Sequence, residues 1–158
     1  MQGVGFAGEV GGGDVDRIVA AARRRCVKLA PLTLTLGPAV LLEEGVWLRV
    51  APPAAVRRVR AAVRAGIADV WDPARVPEPA DDFTPHVSLA YSNTDEPSEP
   101  YAAALAEAGL RSATMEVAAI QAISLSRDTH LYRWETIATV PLGTGAIRGN
   151  RAEPVRSN

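Results

Sequence analysis

Two side chains able to move a proton and to hold an oxygen stand two residues apart in Phe83-Thr84-Pro85-His86-Val87-Ser88-Leu89-Ala90-Tyr91. The stretch reads as a short strand, so its side chains alternate between two faces. His86, Ser88 and Ala90 fall on one face; Val87, Leu89 and Tyr91 fall on the other and are expected to pack into a core. Pro85 biases Thr84 to an extended conformation and is best tolerated at a strand's start, which puts His86 at the strand entrance. An imidazole beside a hydroxyl donor suits the handling of a phosphate or acyl oxygen. The plainer reading of the same pattern is a strand with one polar face in which His86 meets solvent.

The elements around this strand can be read in order. Gly11-Gly12-Gly13 is expected to be a flexible connection, with Asp14 as the N-cap of a helix carrying Val15, Ile18, Val19, Ala22, Cys26 and Leu29 at helical spacing. It lacks the ending of a phosphate-binding loop. Pro31 closes the helix. Leu32, Leu34 and Leu36 alternate with Thr33 and Thr35 as a strand, and Gly37-Pro38 is a turn signal. Ala39 to Leu42, a turn at Glu43-Glu44-Gly45 and Val46-Trp47-Leu48-Arg49-Val50 complete a hairpin. Pro52-Pro53 opens the strongest helix, with Val56, Val59, Val63, Ile67 and Val70 as its apolar stripe. Arg57, Arg58, Arg60 and Arg64 are expected on its solvated outer surface.

Trp71-Asp72-Pro73 ends that helix, and an aperiodic surface loop to Asp82 leads to the His86 strand. Residues 92–95 turn the chain. A short helix follows from Pro97, with Tyr101, Leu105 and Ala108 expected inward and Gly109 ending it. Val117 to Leu125 is a long strand candidate, 126–130 a hairpin link, and Leu131 to Leu142 the last strand. The expected division is a domain over 1–142 and a disordered tail over 143–158.

Composition narrows the function classes. A chain of 158 residues with 47% hydrophobic content fits one domain or two small lobes sharing a core. A net charge of −1 gives no global attraction to nucleic acid, so such binding must come from a local patch. The single cysteine, Cys26, excludes an internal disulfide framework and fits a cytoplasmic setting. It falls at an apolar helical position and reads as a small buried hydrophobe. No apolar run spans a bilayer and no signal-peptide layout is present, so a soluble protein without membrane contact is expected.

His86, Val87, Ser88 and Leu89, preceded by Pro85, resemble the second His-x-Thr/Ser motif of the two-histidine (2H) phosphoesterases, which include the 2′-5′ RNA ligases and cyclic phosphodiesterases. The element order and the stretches Val46–Val50 and Tyr132–Gly143 are similar to that family too, over about Gln2 to Gly143. The resemblance implies an α+β, bilobal fold in which two antiparallel sheets face a cleft, with helices outside. It implies metal-free chemistry at phosphorus, with no cofactor, in which one histidine is general base and another general acid. His86 and Ser88 are then catalytic, and the partner is RNA or a nucleotide with a 2′,3′-cyclic phosphate.

The family uses two such motifs. The only other histidine, His130, is followed two places on by Tyr132 and falls in a hairpin link, where a solvent-exposed loop histidine is expected. The first motif is expected immediately before Gln2, so the first lobe is expected to be incomplete, by on the order of 35 residues. Impaired activity and self-association through exposed sheet edges are the expected consequences. Tyr91 is a candidate to stack on a base, although alternation groups it with the core, and Arg127 a candidate for a phosphate oxygen. Thr33 and Thr35 are expected to be solvent-exposed. Two alternatives stand beside the enzyme: a non-catalytic module that binds a nucleotide or RNA end, and a small interaction domain without a ligand.

Overall fold

The computed structural model describes residues 2–6, 8–42, 45–92, 97–126 and 132–144. Among them the elements run α1 (Gly12–Cys26), β1 (Leu32–Leu42), β2 (Gly45–Ala51), α2 (Pro53–Ala68), β3 (His86–Tyr91), α3 (Glu99–Glu107), β4 (Ala113–Val117), β5 (Ala119–Ser126) and β6 (Arg133–Pro141). The strands form two antiparallel sheets: four strands in the order β3-β2-β1-β4, and the β5-β6 pair. This is the expected mixed α+β architecture with two antiparallel sheets. No helix is long and apolar enough to cross a membrane among the described residues.

The main core follows from the two apolar helix stripes. Val19, Ala22 and Cys26 of α1 and Val59 of α2 bury together with Val140 and Leu142, and Ile120, Ala122 and Ala138 close the layer from the β5-β6 sheet. Cys26 has no exposed surface, and burial pushes its thiol pKa up, as fits a small hydrophobe. α1 and α2 cross so closely at Gly66 that a Cβ there would meet the Ala22 amide nitrogen at 2.9 Å and its Cα at 3.1 Å. Beside the crossing, Arg25 grips Asp69 through two hydrogen bonds of 2.8 and 2.5 Å.

Several expectations are corrected. Gly12 and Gly13 are helical rather than a flexible connection, and Gly11 is the N-cap. Asp14 instead lies in the first turn, where a carboxylate complements the helix dipole. It accepts a 2.9 Å bond from Trp71 Nε1 and pairs with Arg17, and these partners hold its pKa below the ordinary value. Gly37-Pro38 is no turn: β1 runs through it, and the pairing with β2 shifts register between Leu36 and Ala39. The 117–125 strand is divided at Ala118, so that β4 joins β1 while β5 starts the second sheet. Tyr101 of α3 and its C-cap Ala108 are exposed and Leu105 is half-buried, the helix packing lightly on β1. Its end at Gly109 is as expected.

Of the α2 arginines expected on a solvated face, Arg58 is exposed, while Arg57, Arg60 and Arg64 turn to a neighbouring loop. Arg60 is buried, with 8% of its surface exposed. It donates to the carbonyls of Ala80 and Pro79 at 3.0 Å each and to Glu78 Oε2 at 3.3 Å. Its guanidinium also lies 4.6 Å from the centre of the Phe83 ring. Arg64 donates to the carbonyls of Pro77 and Glu78, and Arg57 to that of Phe83. Three cations at helical spacing therefore strap the loop from Pro77 to Phe83 onto α2. That loop hands the chain to β3.

Candidate functional site

β3 starts at His86, directly after the buried Pro85, as the proline predicted. Its neighbour β2 runs antiparallel, with Arg49 opposite His86, Leu48 opposite Val87 and Trp47 opposite Ser88. Directly opposed residues of an antiparallel pair share a face. His86, Ser88, Trp47 and Arg49 therefore form one patch.

The imidazole is held on two sides. Its ring lies flat on the Trp47 indole, with centroids 3.7 Å apart and planes 6° from parallel. Its Nδ1 is 2.8 Å from the Thr84 carbonyl oxygen. A carbonyl oxygen only accepts, so Nδ1 carries the proton and, in the neutral ring, Nε2 keeps the lone pair. The backbone of the strand entrance thus fixes the tautomer of the imidazole, whose Nε2 makes no hydrogen bond with the described residues.

The second side chain is oriented by an unexpected neighbour. Alternation placed Tyr91 with the core residues, yet its hydroxyl donates to Ser88 Oγ at 3.1 Å. The pairing of β2 and β3 shifts between Val46 and Trp47: Ala90 faces Val46 and Ser88 faces Trp47, which leaves Leu89 as an extra residue. Such a bulge reverses the alternation beyond it, so Tyr91 comes round to the Ser88 side. With its oxygen accepting from Tyr91, the Ser88 hydroxyl keeps its own proton to donate.

Val87 and Leu89 were expected in the core and are exposed, Leu89 to 52%. The reason is position: β3 is the outer strand, and the helices that reach this sheet meet it at β2 and β1. Thr33 is exposed as expected and donates to Glu116 Oε1 at 2.9 Å, while Thr35 is half-buried. Arg127 and His130 lie outside the described residues, as does the tail from 145 on. No group of three or more His, Cys, Asp or Glu side chains is placed to hold a metal ion among the described residues.

Sequence reasoning assigned no role to Trp47 or Arg49. The signal for them was present, since alternation in Val46-Trp47-Leu48-Arg49-Val50 puts these two polar-edged residues on one face. Only the register with β3 shows that this face is the one carrying His86.

The 2′-5′ RNA ligase superfamily model matches residues 5–129, most of the chain and the whole of β3. The chain belongs to this superfamily. It is thus a two-histidine phosphoesterase homologue, as the His86–Leu89 motif implied. Two solved structures share the fold. One is TT0787 of Thermus thermophilus, with a TM-score of 0.64 and 14% identity, over 87% of this chain and 75% of that one. The other is described as a phosphoesterase, with a TM-score of 0.61 and 16% identity, over 85% of this chain and 71% of that one. Among curated proteins none matches at a significant level.

Proposed function

We propose that the His86 face acts on an RNA-type phosphodiester, opening a 2′,3′-cyclic phosphate or, in reverse, joining a 2′-5′ linkage, with His86 as an acid–base group and Ser88 as a donor to a non-bridging oxygen. The observation that carries this reading is the fixed tautomer: Nδ1 is spent on the Thr84 carbonyl and Nε2 is left to exchange a proton. In ring opening a water oxygen forms a bond to phosphorus and loses its proton to a base. The bond from phosphorus to the 2′ or 3′ oxygen breaks, and that oxygen takes up a proton. Attacking and leaving oxygens lie roughly in line on opposite sides of phosphorus. One imidazole therefore serves one of them, and a second acid–base group must serve the other. Without it, turnover is expected to fall by about 10²–10⁴-fold.

The test is hydrolysis of a nucleoside 2′,3′-cyclic phosphate by this chain, by its His86→Ala variant and by a chain extended upstream. Turnover in either form that His86→Ala removes supports the proposal. Its absence from both refutes it. A second reading, a non-catalytic module for a nucleotide or RNA end, rests on the described residues bringing one imidazole to this face. Saturable binding of the cyclic nucleotide without turnover would favour it.

A further inference from the structure

Arg49 stands directly across from His86 in the β2-β3 pairing. The Cβ atoms of such a pair are about 4.5–5.5 Å apart. The imidazole stacks on Trp47, two residues along β2 on the same face. On the other side of Arg49, β1 offers no polar side chain. Val50 pairs with Leu36 and Leu48 with Ala39, so the residues facing Arg49 are Gly37 and Pro38 of the bulge.

The guanidinium is exposed and makes no hydrogen bond or ion pair with the described residues. Arg25, Arg57, Arg60 and Arg64 differ, each being anchored to a carboxylate or a carbonyl. The acid on this face, Glu116, is on β4 and accepts from Thr33. It is separated from Arg49 by the Thr35–Ala51 pair. A cation with an open donor fork therefore adjoins the imidazole in a chain whose net charge is −1. An arginine fork matches the oxygens of a phosphate, and a local cation is what attracts an anion when the whole molecule does not.

We propose that Arg49 is the residue that holds the phosphoryl anion beside His86, a role that rests on reading this face as a phosphoesterase site. The ligand class is a phosphate ester with non-bridging anionic oxygens, gripped by the Arg49 fork from β2 and the Ser88 hydroxyl from β3.

The experiment is titration of the protein with inorganic phosphate at constant ionic strength, followed by the ring signals of its two histidines in NMR spectra. A saturable shift at His86 is expected. Arg49→Gln is expected to weaken it about 10- to 100-fold, the loss typical of a hydrogen bond to a charged group. Arg49→Lys, which keeps the charge without the fork, should fall between. Arg58→Gln, an exposed cation on α2, should leave it unchanged. The proposal is overturned if His86 shows no saturable shift, if Arg49→Gln binds phosphate as the parent does, or if Arg58→Gln weakens binding as much. Should phosphate binding follow Arg49 while no cyclic phosphate is turned over, the reaction assignment fails and the anion site stands.

Discussion

Replacing Arg60 by Met tests whether the loop feeding β3 is held by the α2 arginines. Methionine keeps much of the volume and can still touch Phe83 through its sulfur. It removes three hydrogen bonds from a charged donor and the contact of the guanidinium with the ring. Hydrogen bonds of this kind contribute about 1.5–3 kcal/mol each when their partners stay buried. Two effects lower the sum. The acceptors sit on an exposed loop and can rehydrate, and removing a buried cation also removes its desolvation and an Nε without a partner. A net loss of about 2 kcal/mol results, which for a chain of this size lowers Tm by about 4–8 °C. The measurement is thermal unfolding by circular dichroism, with amide hydrogen exchange over residues 78–85 to catch a loop that detaches locally. Arg60→Lys should lie between, since one ammonium cannot span three acceptors. An Arg60→Met protein with unchanged Tm and unchanged exchange in that loop would show that the strap carries no load.

Other perturbations probe the crossing, the ion pair and the bulge. Gly66→Val should destabilise by about 3 kcal/mol or more, because its Cβ meets backbone rather than a side chain that can swing away, and the added methyls crowd it further. Gly66→Ala should cost less, since better helix propensity returns about 1 kcal/mol; denaturant midpoints of the two variants would rank them. The Arg25 bond holds the Asp69 carboxyl below its ordinary pKa of 3.8, so the pair stabilises the fold fully above that pH and loses this as pH falls through the lower folded-state value. The stability gap between the parent and Asp69→Asn should therefore be present at pH 7 and close on acidification below the ordinary value. A gap that persists at low pH would mean that Asn harms packing instead. Gly45→Ala should disrupt the β2-β3 pairing, since its Cβ would fall 2.0 Å from the Ala90 carbonyl oxygen, and φ there is +146°. Loss of Tyr91-to-Ser88 contacts in NMR spectra, with α1 and α2 intact, is the expected outcome.

Much of the scaffold was legible because its determinants are local. Proline at 85 announced the start of β3, and the stripes of α1 and α2 announced the helix pair. What escaped depends on partners distant in the chain. Arg57, Arg60 and Arg64 repeat at three and four residues, which marks a helix stripe, but nothing local says that the stripe faces a row of carbonyls instead of water. Val87 and Leu89 looked like core residues because alternation names a face and not a covering layer. Tyr91 was misplaced for a related reason: a bulge is a property of two strands, and its cause lies on the other one.

That other strand sets out the site. Gly45, Trp47 and Arg49 of β2 face Tyr91, Ser88 and His86 in turn. Gly45 lets the Ala90 carbonyl approach, which accommodates the extra residue and turns Tyr91 toward Ser88. Trp47 gives the imidazole a flat support, and Arg49 places a cation at its side. A slip of one residue would set Leu48 against the histidine and Val46 against the serine and would send the His86 face into the apolar layer. The setting of His86 is therefore specified twice, by the residues flanking it on β3 and by every second residue of β2.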